Sequence, residues 1–551
     1  MLRNIFSSQD LSIRYQTDVL IVGAGLAGLV TALELLDSNR RILILDRDEP
    51  ARLGGLAKES FGGVTMIGTP HQKRTGIQDS PEQALMDWTR TAEFDAGDVW
   101  PRRWAEYYVQ HSLQNIYQWL SQRSVKFFPV VHWVERGLYT PGNSVPRFHM
   151  VWGAGHGLID GVLHHLENHP HRKNLEIKFR QAVRSLEVQN GRVTGCQGVD
   201  EVSGGSFTAL AENTIVATGG ISGSIQKIRE NWYKPWGQPP EKLLNGSHRY
   251  ADGTLHDAAL AIGAEVTHLD RQWNYAAGVH HPFPDKPEHG LSLVPPKSAL
   301  WVDATGRRFG PVPLVTAFDT RFLVEQICLS PHKYSWQILN KKIAVKELAV
   351  SGSEFNEAIR DKKLLAFLAT VLLGNLSLYK TLTEKCPDFI VADTLEALVE
   401  KMNALDTNGT KVSLETLREA IQQYDGMIDR GQKFFNDDQL RRIAQVRQYF
   451  GDRARTCKFQ KILDRKAGPL VAIREFILTR KSLGGIQTDL QSRALNGQGE
   501  AIPGLYAIGE AAGFGGGGIH GLSPLEGTFL GACILTGQAA ARSLVGKGGQ
   551  P

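Results

Sequence analysis

A short apolar run, Asp18-Val-Leu-Ile-Val22, passes directly into Gly23-Ala24-Gly25-Leu26-Ala27-Gly28 and then into residues at helical spacing as far as Leu36. Glycines so placed between a strand and a helix leave a chain little choice of fold. The first permits a tight turn, the second lets backbone approach a pyrophosphate, and the third lets helix pack on strand. The helix start offers unpaired amides and partial positive charge to phosphates. Arg41 to Leu45 (RILIL) reads as the next strand, and it ends on Asp46, whose carboxylate can accept bonds from ribose hydroxyls. The chain therefore opens on a βαβ unit of dinucleotide-binding type. The same reading accounts for the long apolar run Val19 to Leu36, which has about the length of a membrane span. Three glycines and Glu34 interrupt it, so no integral membrane segment is expected.

At 551 residues the chain is too long for one simple core, and two or three domains are expected. The net charge of +5 is spread without a basic block, which argues against nucleic acid as a partner. Cys196, Cys328, Cys386, Cys457 and Cys533 stand far apart with no CxxC pair. That pattern fits reduced thiols in a cytoplasmic protein, not a disulfide framework or a zinc site, and no metal is expected. Met1 to Gln16 lacks the apolar core of a signal peptide.

From Asn174 to Gly220 the period is two. LEIKF, RSLEV and RVTGCQGV read as strands around an Asn190-Gly191 turn, and Thr214 to Ala217 as a buried strand ending on Gly219-Gly220. A meander inserted in a parallel sheet fits. From about Leu269 to Phe450, Pro-rich loops precede polar amphipathic helices such as Ser413 to Tyr424. The expected division is 1–268 for the first part of the dinucleotide-binding domain, 269–450 for a substrate-capping domain, and 451–551 for the completing C-terminal part. The tail Gly546 to Pro551 is expected to be disordered.

Gly54-Gly55 and Gly62-Gly63 follow Asp46 where simple nicotinamide dehydrogenases would carry a second helix, which suggests backbone lying against the far half of a long cofactor. Near the C-terminus, Gly504 to Ala507 reads as a strand leading to Gly509-Glu510, and a carboxylate there can reach ribityl hydroxyls. GFGGGGIHG follows, then Pro524-Leu-Glu-Gly527-Thr528, which opens a helix over Phe529 to Leu544. Such a helix start can stabilise negative charge on a reduced flavin ring.

VGAGLAG, GGLAKESFGG, VATGG, LWVDATGRRF, KAGPLVAIR, KSLGGIQTD and GLYAIGEAAGFGGGGIHG, in that order between residue 17 and about 545, resemble the fumarate reductase/succinate dehydrogenase flavoprotein superfamily. Within it they are most similar to the 3-ketosteroid-dehydrogenase-like branch of FAD-binding dehydrogenases. The resemblance implies an α/β fold: a Rossmann-like FAD-binding domain with a β-meander, completed by the C-terminal segment, plus an inserted α+β capping domain. It implies FAD held by Gly23, Ala24, Gly25, Leu26, Ala27, Gly28, Asp46, Arg47, Gly54, Gly55, Leu56, Ala57, Ser60, Gly62, Gly63, Val183, Ala217, Thr218, Gly219, Gly509, Glu510, Gly527, Thr528 and Phe529. Members that bind FAD covalently carry a His directly after the first glycine pair; Leu56 stands there, so the FAD is expected to be non-covalent.

Where fumarate reductases place a His and an Arg on their dicarboxylate, this chain has Lys481 and Pro524, and Pro cannot replace a bidentate partner. Fumarate is therefore not the expected substrate. The tyrosine of ketosteroid dehydrogenases falls on Ser523 or Leu522, so that phenol is missing. The expected activity is dehydrogenation alpha,beta to a carbonyl in an apolar, cyclic, steroid-like ketone. The alternatives are a flavin ene-reductase, or a redox-neutral isomerase or electron-transfer flavoprotein. Such dehydrogenation needs a base, a hydride acceptor and a donor to the carbonyl. His520, in the loop expected to face the flavin, is the first candidate for acid–base work. Tyr275, His280 and His281 in the cap, Lys481, and the pair Asp319 and Arg321 are the others. The electron acceptor is unidentified, since no iron–sulfur ligand set or CxxCH is present.

Overall fold

The computed structural model describes residues 13–405 and 409–546, so nearly all of the tail from Gly546, and most of Met1 to Gln16, lie outside the described residues. Strand Ile13–Val22 leads through Gly23 to helix Leu26–Leu35 and strand Ile42–Leu45, which pairs parallel with the first strand in the register Val19 to Ile42. Gly23 has φ +110°, and a Cβ there would lie 2.4 Å from the Ala217 carbonyl oxygen. The turn thus requires glycine on both counts.

The first sheet runs in the order Arg493–Leu495, Ala501–Ala507, Ser206–Val216, Ile13–Val22, Ile42–Leu45, Leu175–Lys178. Leu505 of the C-terminal strand pairs parallel with Thr214, which joins the two ends of the chain in one sheet. The meander is Gln181–Gln189, Arg192–Asp200 and the outer half of Ser206–Val216, all antiparallel. Its first turn has Asn190 at φ 51° and Gly191 at φ 73°, the positive pair that a tight hairpin requires. The final helix Thr528–Leu544 lies against the first helix: a Cβ at Gly537 would sit 2.8 Å from the Ala27 carbonyl oxygen.

The second sheet takes Leu300–Asp303, Tyr334–Asn340, Leu470–Ser482, Gln272–His280, Gly290–Val294 and Ala349–Val350 in order, with Leu244–Asn245 and Phe389–Ala392 also pairing on Leu470–Ser482. Helices cover it, among them Leu414–Arg430, N-capped by Ser413. Their apolar faces form a separate core with Trp301, Trp336, Leu417, Ile421 and Ile473. This sheet takes strands from before 269 (Leu244–Asn245) and past 450 (Leu470–Ser482) as well as from between them. Leu470–Ser482 is buried along most of its length, and such a run does not announce which sheet will take it. A third sheet has the three strands Gly63–Thr65, Phe148–Val151 and Phe127–His132 in that order. No single helix among the described residues is long and apolar enough to cross a membrane.

Candidate active site

One cavity of about 500 Å³ runs from the glycine loop to the start of the final helix. Gly25, Leu26 and Ala27 line it at one helix start, Gly527 and Phe529 at the other, and neither helix has a side-chain cap. First-turn amides not taken by backbone, as Thr528 N is by the Leu525 carbonyl, are therefore donors available to a common space. A Cβ built on Gly25 would meet nothing within 4 Å, leaving backbone open to close approach. Gly28 differs: its Cβ would fall 2.2 Å from the Gly23 carbonyl oxygen, so it is the packing glycine. Asp46 Oδ2 accepts from Ala24 N at 2.6 Å and Oδ1 from Asp48 N at 2.7 Å. A carboxylate has about four acceptor positions, so two remain for ribose. Glu510 Oε1 accepts from Ser482 N at 2.8 Å, and burial pushes its carboxyl up to about 7.

At the other helix start stands a polar group of four. Glu526 Oε2 accepts from Trp273 Nε1 and from the Tyr275 hydroxyl, both at 2.8 Å. Its Oε1 lies 3.9 Å from Lys481 Nζ, which in turn is 3.4 Å from the Tyr275 hydroxyl and 3.9 Å from the centre of the Phe529 ring. Burial, against the charge of Glu526, brings the Lys481 ammonium down to about 8, and burial together with Glu526 pushes the Tyr275 phenol well above its ordinary range. Tyr275, Lys481 and Glu526 all line the cavity. So does Glu135, a buried carboxyl at φ 49° that accepts from the Thr320 amide and hydroxyl. Burial and the neighbouring charges of Asp319 and Glu526 push it up to about 8. Much of the remaining wall is apolar, with Phe128, Phe148, Met150, Ala276, Ala277, Leu293 and Phe367.

The model for the FAD binding domain matches residues 18–530. The chain belongs to that family. It is also 42% identical, over 95% of each chain, to a "KsdD-like steroid dehydrogenase" of Mycobacterium tuberculosis, which sets it in the KsdD-like branch of the fumarate reductase/ketosteroid dehydrogenase flavoproteins. Its fold is that of the 3-ketosteroid delta1-dehydrogenase from Sterolibacterium denitrificans, with TM-score 0.70, 16% identity and coverage of 97% of this chain and 100% of that one. The 3-ketosteroid-delta4-(5alpha)-dehydrogenase from Rhodococcus jostii RHA1 follows at TM-score 0.64, 18% identity and coverage of 98% and 99%. FAD is the cofactor, and the chemistry of this family is oxidoreduction.

The open face of Gly25, the two uncapped helix starts and the spare acceptors of Asp46 fit FAD. Of the residues expected to hold it, all but Ala24, Gly28 and Thr528 line the cavity. Arg47 also bonds Glu201 and Asp252 and lies 4.4 Å from the centre of the Tyr250 ring. Replacing Asp46 with Ala should lower FAD affinity by roughly 10- to 100-fold, the equivalent of a charge-assisted bond of about 1.5–3 kcal/mol. Gel filtration should then separate apoprotein, and full retention of flavin would contradict the assignment.

The catalytic candidates divide. Tyr275 and Lys481 meet at the cavity, but His520 does not reach it. Its ring is fully buried, stacked on Trp88 at 5.7 Å and 11° and packed against Phe514 and Phe529. Its Nε2 sits 2.8 Å from the Thr528 hydroxyl, which donates to the Leu525 carbonyl, so the imidazole is the donor. Burial holds that ring neutral, far below its ordinary pKa. The glycine loop coils inward under helix Pro81–Ala92, whose Trp88 donates to the Ile519 carbonyl, and carries His520 away from the wall. His520→Ala should cost about 2 kcal/mol of stability as a core truncation, and substrate should still reduce the flavin within a few-fold of the unsubstituted rate. Slowing of reduction by orders of magnitude with the fold intact would restore its chemical role.

Arg321 also points elsewhere: its guanidinium lies over the Tyr233 and Trp236 rings and donates to the Leu522 carbonyl. Asp319 caps helix Thr320–Leu329 through the Phe322 amide. His281 pairs with Glu354 and stacks on His289, and His280 pairs with Asp388; neither lines the cavity. Among the described residues, one group has metal-ligating composition, Asp95, Asp98 and His268, and Arg271 occupies both of its carboxylates. Sequence reading missed Glu526 and Glu135. Glu526 carries one signal, a carboxylate at the start of a helix directly before Gly527; nothing local marks Glu135.

Proposed function

We propose that the chain is an FAD-dependent dehydrogenase that forms a C=C bond alpha,beta to a carbonyl in an apolar, cyclic, steroid-like ketone. The observation that carries this reading is one cavity holding both a dinucleotide cradle and, among apolar walls, a carboxylate beside an ammonium. The identity with a KsdD-like steroid dehydrogenase supports the substrate class. Lys481 and Pro524 in place of carboxylate-binding His and Arg count against fumarate.

The cavity residues Gly23, Gly25 to Ala27, Asp46, Gly54 to Ala57, Val183, Ala217 to Gly219, Gly509, Glu510, Gly527 and Phe529 hold the cofactor. Bound FAD supplies the hydride acceptor. Lys481 Nζ donates to the substrate carbonyl and acidifies the α-carbon. Glu526 Oε1, the oxygen without a fixed donor, takes the α-proton. Tyr275 and Trp273 anchor the other oxygen and so fix the angle of the carboxylate. Glu135, uncharged near neutrality, is placed to donate to a second oxygen of the substrate. The cofactor is non-covalent, because Leu56 offers no atom for a flavin bond; acid should release intact FAD, and colour staying with precipitated protein would contradict this. The electron acceptor is a separate small molecule or protein of unassigned chemistry. The five free cysteines support residence in the reducing cytoplasm.

The deciding experiment is anaerobic titration of the yellow protein with steroid and cyclohexanone-type ketones. Stoichiometric bleaching of the flavin, with product two hydrogens lighter, is expected. Bleaching by dithionite alone, followed by reoxidation on adding an enone, would make it an ene-reductase. Product of unchanged mass would make it an isomerase.

A further inference from the structure

Helix Leu364–Leu373 (LLAFLATVLL) has ten residues, no charged side chain and no buried residue. Leu365, Leu372 and Leu373 are 82%, 72% and 81% exposed, and Leu364, Leu368 and Leu376 stand exposed beside them. A contiguous aliphatic patch on the outside of a protein marks a surface that something apolar covers. The other side of this helix is seated: Phe367 packs on Phe128 at 5.0 Å and on Trp152 at 5.9 Å, and it lines the active-site cavity. One helix is thus bare leucine outside and cavity wall inside.

We infer that this helix docks the protein on an anionic lipid surface and passes apolar substrate from the bilayer to the cavity. The docking stands on the patch alone; the delivery rests on the proposed substrate class. Length comes first. Ten residues span about 15 Å, half of the ~30 Å hydrocarbon core, so the helix lies in the headgroup boundary instead of crossing it. The next helix, Leu376–Lys385, bends away by 77° and is held by buried Leu378, Tyr379 and Leu382. Chemistry comes second. The patch presents aliphatic carbon, without the aromatic and arginine anchors that protein interfaces favour. Its one hydroxyl, Thr370, bonds back to the Ala366 carbonyl, and the end carbonyls of Val371 and Leu372 accept from Lys346, so these polar groups would not enter lipid bare, and the uncapped first-turn amides lie at the Lys363 end, at headgroup level. Charge comes third. Exposed Lys362 and Lys363 precede the helix, and exposed Lys380 and Lys385 follow it. Of the exposed acids nearby, Asp361 is paired with Arg360 and Lys363, and Glu357 and Glu384 stand exposed on the adjoining helices, which leaves Lys362, Lys380 and Lys385 as the ammonium groups to meet headgroups. A leucine patch with ammonium groups at both ends matches acyl chains beneath anionic headgroups.

The test is flotation of the FAD-loaded protein with vesicles of phosphatidylcholine alone and of phosphatidylcholine mixed with phosphatidylglycerol. The protein should float with the mixed vesicles. The variant Leu365→Ser/Leu372→Ser/Leu373→Ser should lose that binding by about tenfold or more, and Lys362→Gln/Lys380→Gln should lose the preference for anionic lipid. Both should keep their flavin spectrum and melting temperature, since the changed side chains are on the surface. Absence of flotation, or equal flotation by the serine variant, would overturn the inference. So would a dimer in lipid-free buffer that the serine variant converts to monomer, because a second copy would then cover the patch. Flotation needs no turnover, so failure of every ketone to bleach the flavin would sink the substrate reading and leave the docking result standing.

Discussion

Glu526→Gln should keep its FAD and slow flavin reduction by a ketone by about 10²- to 10⁴-fold, the usual worth of a positioned base. Glutamine keeps the size of the side chain and can still accept from Trp273 and Tyr275, which bond one oxygen only. What it loses is the capacity to take a proton. Reduction within a few-fold of the unsubstituted rate would move the base to Glu135, the other cavity carboxyl. The pH profile gives an independent reading. Lys481 has its pKa lowered to about 8, chiefly by burial. Its cation is present below that value and lost above it, so reduction should fall as pH rises through about 8. Lys481→Met should be slow throughout and show no such limb. Stopped-flow absorbance across pH measures both.

Arg147→Met should destabilise the fold by about 3–5 kcal/mol, the cost of breaking a buried ion pair from one side. The guanidinium is fully buried, with Nε and Nη2 on Asp79 and Nη1 on Asp87 and Asn143. Removing it leaves the two buried carboxylates without their counter-charge. Their uptake of protons would relieve the cost, so the loss should be smaller in mild acid. Urea unfolding monitored by circular dichroism gives the difference, and a change under 1 kcal/mol would show that the cluster relaxes or admits water. The effect should reach the active site, since Arg147 directly precedes Phe148 and Met150 in the strand that lines the cavity.

Local rules were enough for the cofactor half. A turn at Gly23 and a close helix at Gly28 are backbone requirements within six residues that only glycine meets, and Gly25 between them keeps the approach open; the sequence shows them because the demand is local. The junction of the two ends was legible for the same reason, since Gly504 to Glu510 and Gly527 carry the marks of a second strand and helix start. The reaction half was not legible in this way. His520 lies between residues that face the cavity, yet the sense of one coil in a glycine-rich loop turns it into the core against Trp88, which is far away in sequence. Glu526 comes from just before the final helix and Lys481 from the end of strand Leu470–Ser482, and they meet only because those two elements pack together. Glu135 is held at the cavity by Thr320, on the opposite side of an unremarkable stretch of chain. Leu470–Ser482 pairs with Gln272–His280 and Tyr334–Asn340, strands more than a hundred residues earlier, and no local pattern in it announces them. The sequence by itself determined what cofactor the chain must embrace, since that demand is written in backbone geometry between near neighbours. Only the tertiary structure decided which side chains meet the substrate, because burial, charge and direction there are set by residues hundreds of positions apart.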